Sequence, residues 1–491
     1  MQKVRPWYRL RPWSLFLQLN RNIERSIMKQ TKNQELFRSE KISKAMLALS
    51  VPTIISQLIN LIYNMVDTFF VGMTGDSYKI AGVTIAFALF MLTIALSNLF
   101  GIGGGSLIAR LLGQNDTKNA RRVSAFSFYA SILAALLYSL ILWLLEDPIL
   151  RMLGASENTI LFSRQYTTLV VILGSVPLIL SAVVAHMLRN VGYSKEASIG
   201  LSSGGILNIV LDPIFMFIIM PKGNEVLGAA LATLIANIIA MLYLLWKMKQ
   251  VSKVVPLSMS PSLALQIQSS DRRSLFAVGI PSALLTGLFD LANIILNKLM
   301  AGHGDLNLAA IGIVMKAERL PNAINTGICQ GMLPLVAYNF SSGDHKRMHE
   351  AIRLGRLWGL SVALISLVLF LVFAGPVVHI FLNTDGEFAE SAIATLSLAS
   401  LYLRLRVLGS PIQFINYHTS FILQAVGAGK ETLLHSIVRE LVFYIPLMFV
   451  LNWLFGATGI ASALVVGELG GAMFALYLLR RWLRENANIA L

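Results

Sequence analysis

Long apolar stretches alternate with short polar segments from residue 45 to near the end of the chain. About 20 helical residues cross the roughly 30 Å of lipid hydrocarbon, and each stretch is at least that long. Because a chain in lipid must satisfy its own backbone hydrogen bonds, these stretches are expected to be helices. The pattern predicts an all-α integral membrane protein whose twelve transmembrane helices lie at 45–72, 80–112, 121–146, 158–188, 195–220, 226–248, 274–301, 306–339, 350–374, 388–426, 432–454 and 457–480.

The second half of the chain repeats the first. Six spans are followed by six more, and an even number of spans in each half predicts parallel repeats related by an axis along the membrane normal. Binding sites in such proteins lie near the interface between the halves. The matching segments are Leu47–Pro52 with Phe276–Pro281, Met187–Lys195 with Ile422–Lys430, and Gly228–Ala232 with Gly459–Ala463.

This organisation predicts two pseudo-symmetric six-helix lobes with a tail before them and a loop between them. The expected segments are a basic cytoplasmic tail at 1–40, a first lobe at 41–248, a cytoplasmic inter-lobe loop at 249–273 and a second lobe at 274–485. We expect the tail to be disordered, with interfacial anchoring by its aromatic and basic residues as the alternative. Met28 offers an alternative start of the natural chain.

Composition and charge fit a membrane protein. The 491 residues are 56% hydrophobic and only 13% charged, against about 25% charged in soluble domains. The net charge of +15 does not require a nucleic-acid partner, because Lys and Arg gather in cytoplasmic loops. One set of loops holds nearly all of them, so both termini are predicted to be cytoplasmic. This set includes Arg110, Lys118, Arg121, Arg122, Arg189, Lys195, Lys247, Lys249, Lys253, Arg272, Arg273, Lys346, Arg347 and Lys430, whereas the other set holds little beyond Lys79, Arg151 and Lys222.

Asp67 is the exceptional residue of the first span, because its sequence neighbours are almost all apolar. A charge at the bilayer centre costs at least roughly 2.5–3.5 kcal/mol on insertion scales, and such residues usually face a cavity on an ion or substrate path. A candidate partner is Asp212 on the fifth span, which lies four residues after Asn208 and therefore on the same helix face.

Asp67 and Asp212 are expected at similar depth. Asp67 lies five residues before Gly72, and Asp212 lies nine before Pro221, so both sit within about 15 Å of the outer end of their helices. Two neighbouring carboxylates do not both stay ionised cheaply, so the pair is expected to hold one proton or one cation. The alternative is a structural pair satisfied by hydroxyls and amides. Pro213 is expected to kink the helix and free the carbonyl of Ile209.

These segments resemble the MATE family, the multidrug and toxic compound extrusion transporters, in its bacterial DinF/MepA-like branch. The resemblance covers about residues 41–485 and is carried by Tyr63–Gly72, Gly101–Ser106, Arg110–Gly113, Asn208–Pro213 and Gly331–Asn339. It implies a V-shaped pair of lobes that works by alternating access, with the proton or sodium ion bound at Asp67, Asn208 and Asp212. It also implies a bend of the first helix at Pro52. Tyr63 and Thr233 are further candidates for the ion site.

The second half offers weaker candidates for a substrate cavity. Asp290 lies nine residues after Pro281 and is either a contact for a cationic substrate or part of a structural salt bridge. Some members of the family carry an acid there in a second cation site, but the acid expected on the tenth span is missing from Pro411–His418. Glu318, which Lys316 or Arg404 could neutralise, and Asn60 complete the set. Arg439 and Glu440 are expected to pair or to snorkel at the inner end.

The resemblance therefore implies a cation-coupled efflux antiporter of the bacterial cytoplasmic membrane. Its partners would be the lipid bilayer and amphipathic, cationic organic compounds, and the protein would act as a monomer without a nucleic-acid partner. A single cysteine, Cys329, excludes a disulfide framework. No catalytic, metal or cofactor motif appears, so an enzyme is not predicted. The alternatives are a flippase for a lipid-linked precursor, which a long and strongly basic cavity would favour, and an ion channel or membrane receptor.

Overall fold

The computed structural model describes residues 35–382 and 389–487. Within these residues the chain forms twelve helical spans and no strand, which confirms the predicted fold class. The spans are α1 (Ile42–Gly72), α2 (Ser77–Gly113), α3 (Thr117–Leu144), α4 (Ile160–Leu173 and Ser175–Asn190), α5 (Ser194–Ile219), α6 (Glu225–Val251), α7 (Ser269–Ala301), α8 (Asp305–Ser341), α9 (His345–Val372), α10 (Ala389–Val407 and Ser410–Val426), α11 (429–455) and α12 (457–487).

Two spans are interrupted where the hydropathy pattern alone predicts a continuous helix. The two parts of α4 meet at an angle of 46° at Gly174, and the two parts of α10 meet at 49° next to Gly409. Gly456 has φ 62° and ψ −143°, a conformation outside the helical region that glycine adopts readily. It separates α11 from α12 at the predicted boundary. Short helices that the pattern does not indicate lie at Glu146–Met152, Pro261–Leu265 and Ala374–His379.

The two lobes pack against each other through α1 on α8 and α2 on α7. We call the end of the bundle at which α1 begins and α2 ends the basic end, because most of the loop Lys and Arg residues lie there. The contacts between the lobes run from the middle of the spans to this end. They include hydrogen bonds from Asn98 to Thr286 (3.0 Å), from Gln57 to Gln330 (3.2 Å) and from the Ser341 hydroxyl to the Arg110 carbonyl (2.7 Å).

Small residues allow this close approach of helices. A Cβ on Gly331 of α8 would lie 2.6 Å from the Cα of Ser50 on α1, and a Cβ on Gly103 of α2 would lie 2.6 Å from the Leu275 carbonyl oxygen on α7. Glycine at these helix contacts lets the backbones meet, as is common between helices in membranes. The basic end is therefore closed by direct packing of the lobes.

The segment before α1 also takes part in the packing between the lobes at the basic end. Phe37 is 4% exposed and stacks on Tyr338, with ring centroids 5.3 Å apart. Arg38 donates hydrogen bonds to the Tyr338 hydroxyl (2.6 Å) and to Asn115 Oδ1 (2.5 Å), so it touches both lobes. The predictions for the rest of the tail concern residues 1–34, which lie outside the described residues.

The inter-lobe loop is attached to the first lobe. The Tyr129 hydroxyl on α3 donates to the Met259 carbonyl at 2.9 Å, and the Ser258 N–H donates to the Ser124 hydroxyl at 2.8 Å. The loop therefore follows the surface of α3 before α7 begins.

Candidate ion-coupling site and substrate cavity

Asp212 is held by its own helix and by α6. The Asn208 amide, one turn earlier on α5, donates to Asp212 Oδ1 at 2.9 Å and to the Thr233 hydroxyl on α6 at 3.1 Å. Asp212 is fully buried, and Asn208 is 2% exposed. The predicted spacing thus places the acid and its amide on one face, with Thr233 fixing the orientation of the amide.

Asp67 on α1 has a partner that the sequence does not indicate. The Tyr166 hydroxyl on α4 donates to Asp67 Oδ2 at 3.3 Å, and Tyr166 is 5% exposed. An aromatic residue within an apolar stretch gives no signal for such a role. The tyrosine immediately precedes a π-helical segment, Thr167–Leu173, and π-helical turns frequently occur at functional sites.

The two acids lie close enough for their charges to interact, and Tyr63 is within electrostatic reach of both. Three buried oxygens of this site lack a hydrogen-bond donor among the described residues: Asp67 Oδ1, Asn208 Oδ1 and Asp212 Oδ2. All three are acceptors, and buried acceptors without a partner are costly. A proton on either carboxylate, or a small cation between the oxygens, would satisfy them, so the residues present fit a monovalent coupling ion.

The two prolines of the prediction lie in different surroundings. Pro52 lies within α1, and the helix continues through it to Gly72. Ser50 and Ile54, on either side of it, contact Gly331 and Gly327 of α8. Pro213 lies near the end of the α-helical part of α5, which changes to a π-helix at Phe215–Ile219. In place of a simple kink, the helix after Pro213 changes from the α to the π hydrogen-bond pattern.

A cavity of about 460 Å³ lies against this site. Asn60, Tyr63, Asn208 and Thr233 line it, whereas neither Asp67 nor Asp212 does. Asn208 and Thr233 therefore separate the acids from the cavity while contacting both regions. The charged residues in the lining are Arg189 and Arg319.

The position of Arg189 corrects the assignment from the sequence. The charge pattern places Arg189 among the loop cations, but the residue lies in the last turn of α4, is 4% exposed and lines the cavity. Gly192, three residues later, lies in the turn at the basic end, and Lys195 lies in the first turn of α5 that follows it. The chain therefore carries a buried cation one turn inside the loop that the pattern indicates.

A second cavity of about 240 Å³ lies in the second lobe. Asp290 and Glu318 line it, and Gln57, Arg319 and Thr326 line both cavities, which therefore meet at the interface between the lobes. Asp290 interacts electrostatically with Arg319.

The partner of Glu318 differs from the expectation. Neither Lys316 nor Arg404 neutralises it; instead, Arg406 of α10 donates to both of its carboxylate oxygens, with Nε and Nη2 each at 2.9 Å. Arg406 also contacts the Tyr444 hydroxyl at 3.4 Å. Glu318 thus belongs to a structural ion pair at the cavity wall.

Arg439 and Glu440 pair, which is the first of the two alternatives expected for them, and they do not snorkel. They are 2% and 1% exposed in the middle of the second lobe. Arg439 donates to both carboxylate oxygens of Glu468 on α12 and lies 3.5 Å from Glu440 Oε1. Asn416 donates to Glu468 Oε2 at 2.6 Å and connects the network to His435 at 3.0 Å. These ionic groups stay in a low-dielectric interior because they are paired.

Among the described residues, no group of three or more His, Cys, Asp or Glu side chains is arranged to hold a metal ion. The two-lobed bundle, with its acid pair beside a central cavity, defines the class of secondary transporters. The MatE family model matches residues 52–214 and 281–450, one segment in each half. The chain belongs to this family, which confirms the resemblance seen in the sequence. It is a secondary transporter, not an enzyme, and a multi-pass protein of the inner membrane.

Curated relatives match nearly the whole chain. The chain is 32% identical over 460 residues to the multidrug export protein MepA of Staphylococcus saprophyticus, covering 91% of this chain and 97% of the relative. It is 31% identical over 454 residues to MepA of Staphylococcus aureus, with the same coverage.

Solved structures share the fold. A MATE protein in complex with MaL6 has a TM-score of 0.85 at 22% identity and covers 93% of this chain and 99% of its own. The outward-facing conformation of a multidrug resistance MATE family transporter of the MOP superfamily has a TM-score of 0.83 at 23% identity, with coverage of 93% and 98%.

Proposed function

We propose that the protein is a cation-coupled antiporter that exports amphipathic, cationic organic compounds. The observation that carries the proposal is the acid pair Asp67 and Asp212, in which one buried oxygen of each carboxylate lacks a donor among the described residues and which Asn208 and Thr233 connect to the cavity. The names of the curated relatives, multidrug export proteins, support drugs as the exported compounds. The coupling ion is a proton or a sodium ion, since both suit carboxylate and amide oxygens.

The proposed orientation follows from charge. Cytoplasmic loops carry the excess of Lys and Arg, so the basic end and both termini are cytoplasmic. The lobes pack directly at that end, which supports assigning the described conformation to the outward-facing state. The inter-lobe loop at 249–273 then lies on the cytoplasmic side, between lobes at 41–248 and 274–485.

The proposed cycle links the ion to the cavity. In the outward-facing state a proton or sodium ion binds at Asp67 and Asp212, and the loss of charge lets α1 bend near Pro52. Bending moves Asn60 and Tyr63, which line the cavity, and releases the drug outward. The inward-facing state then releases the ion and binds drug again. Such coupling requires each ligand to have different affinities for the two states.

Export from proteoliposomes tests this proposal and identifies the ion. We propose that a monomer in a lipid bilayer is sufficient for transport. The assay uses a fluorescent organic cation as the drug. A proton gradient and a sodium gradient are imposed separately, and drug movement is followed. Export driven by one gradient supports the antiporter and names its ion. Drug movement that neither gradient accelerates contradicts the proposal.

A flippase for a lipid-linked precursor remains the second candidate, because Arg189 and Arg319 give the cavity two cations that could bind a phosphate. The match to multidrug export proteins over 91% of the chain favours the exporter. A fluorescent prenyl diphosphate in the same proteoliposomes separates the two functions, since only the flippase moves it across the bilayer.

A further inference from the structure

Arg189 is a buried cation without an anionic partner. Its guanidinium donates to Gln330 Oε1 at 3.4 Å and to the Ser56 hydroxyl at 3.3 Å, both long contacts to neutral groups. Its Nε has no hydrogen-bond partner within the described part of the chain. Moving a cation out of water without an anion to pair with it costs on the order of several kcal/mol. An unpaired guanidinium at a cavity wall therefore calls for a ligand.

The buried arginines of the second lobe are arranged differently. Arg406 is paired with Glu318 and Arg439 with Glu468. In the first lobe, the cavity beside Arg189 has no carboxylate in its lining, and its other charged residue, Arg319, is also a cation. His186, which lines the same cavity, lies close enough to interact with the Arg189 charge. Two guanidinium groups and no carboxylate therefore line this cavity, and among the described residues only Arg319 has an acid nearby, Asp290 of the second cavity.

The internal repeat indicates that the fold does not need an arginine here. Met187-Leu-Arg189 corresponds to Ile422-Leu-Gln424, so the second lobe carries a neutral glutamine at the matching position, and that glutamine is 1% exposed. A charge retained in only one lobe, at the cavity wall, points to recognition rather than packing.

We propose that Arg189 binds an anionic group of the exported compound, and that this group is a carboxylate. The inference rests on the proposed function and narrows its substrates to zwitterionic amphipathic molecules. Guanidinium groups bind carboxylates through two parallel N–H donors, and Nη1 and Nη2, which make the long contacts to Gln330 and Ser56, supply such a pair. The cationic part of the molecule lies toward the second cavity, where Asp290 lines the wall.

Two dyes that differ only at a carboxylate test this inference. Rhodamine 110 carries a free carboxylate, and rhodamine 123 is its methyl ester. Dissociation constants are measured by fluorescence anisotropy with the purified full chain, for the wild type, Arg189→Gln and Arg189→Lys. Gln is the residue of the matching repeat position, and Lys keeps the charge without the paired donors. Arg404→Gln, an exposed arginine outside both cavities, is the control.

We expect Arg189→Gln to weaken the binding of rhodamine 110 about tenfold more than the binding of rhodamine 123, because only rhodamine 110 loses one charge-assisted pair of hydrogen bonds. The ratio of the two losses in affinity, rhodamine 110 over rhodamine 123, should be intermediate for Arg189→Lys and one for Arg404→Gln. An equal loss for both dyes indicates a structural role and overturns the inference, as does no loss for either. If wild-type protein binds both dyes but exports neither, the proposed function fails while the carboxylate contact stands.

Farnesyl diphosphate separates the two sources of the anion. Failure to displace rhodamine 110 at equal concentrations supports the carboxylate of an exported compound. Farnesyl diphosphate could instead displace the dye at concentrations far below the dissociation constant of the dye, and Arg189→Gln could abolish this displacement. That result assigns the arginine to a lipid phosphate and overturns the carboxylate inference.

Discussion

The hydroxyl of Tyr166 donates to Asp67 Oδ2 at 3.3 Å and thereby joins α4 to α1 beside the acid pair. The bond meets α4 where its hydrogen bonds change from the α to the π pattern, at Thr167. On the other side of the site, Asn208 connects α5 to α6 through Thr233. Four spans of one lobe thus converge on two carboxylates, so a change of charge there acts on all four helices.

Tyr166→Phe should increase the affinity of the site for its ion. Without this donor, the Asp67 carboxylate loses a hydrogen bond of about 1 kcal/mol, and an incoming proton or sodium ion replaces it. We expect the ion concentration that half-saturates export to fall about fivefold. Tyr138→Phe removes a hydroxyl that donates to the Leu89 carbonyl, away from the acids. Equal behaviour of the two variants would refute the role given to Tyr166.

Gly331→Ala should open the basic end. Its Cβ would lie 2.6 Å from the Ser50 Cα, so the lobes must separate. The only cysteine of the chain, Cys329, is fully buried two residues away and reports this opening through its rate of labelling with N-ethylmaleimide. We expect labelling to accelerate several-fold. Gly312→Ala on the same helix, where an added Cβ meets nothing within 4 Å, should label at the wild-type rate; a similar acceleration there would contradict the account.

Arg439→Met should destabilise the protein strongly. It leaves Glu468 and Glu440 buried without their cation, and breaking a buried pair typically costs about 3–5 kcal/mol. Arg481→Met breaks the pair with Glu485, which is 2.8 Å long but 60% and 57% exposed, and should change stability little because exposed ion pairs contribute little. Thermal unfolding in detergent compares them. Similar melting temperatures for the two variants would show that the buried network contributes little.

Glu146 should make stability depend on pH. It lies in the short helix after α3, where burial raises its pKa above the ordinary value although Thr168 donates to it at 2.8 Å. A raised pKa means that the folded protein disfavours the ionised form, so this destabilisation is absent in acid and grows as pH rises through the folded pKa. Glu146→Gln has no ionisable group at this position and therefore lacks this pH-dependent destabilisation. The melting temperature of the variant should exceed that of the wild type more at pH 7 than at pH 4; the opposite trend would contradict the assignment.

The sequence predicts the spans well because lipid imposes a length and a composition on each of them. The acid pair and Asn208 could be predicted for a related reason: a charge in an apolar span is rare enough to stand out. Helix periodicity then places Asn208 beside Asp212.

Other features leave no such trace. Tyr166 and Arg406 act through contacts between helices distant in sequence, which one chain without a structure does not reveal. Arg189 was misassigned because hydropathy locates a helix end only to within a few residues, and one turn decides between loop and cavity. The bends beside Gly174 and Gly409 depend on tertiary packing as well as on the glycines.

The central claim is that Asp67 and Asp212 bind the coupling ion. The most direct test is gradient-driven export from proteoliposomes by Asp67→Asn and Asp212→Asn, with Asp147→Asn, an acid of an exposed ion pair with Arg164, as the control. The account predicts that each site variant inserts and melts like the wild type but loses acceleration by the proton or sodium gradient, while the control keeps it. Gradient-driven export at the wild-type rate by both site variants would contradict the account.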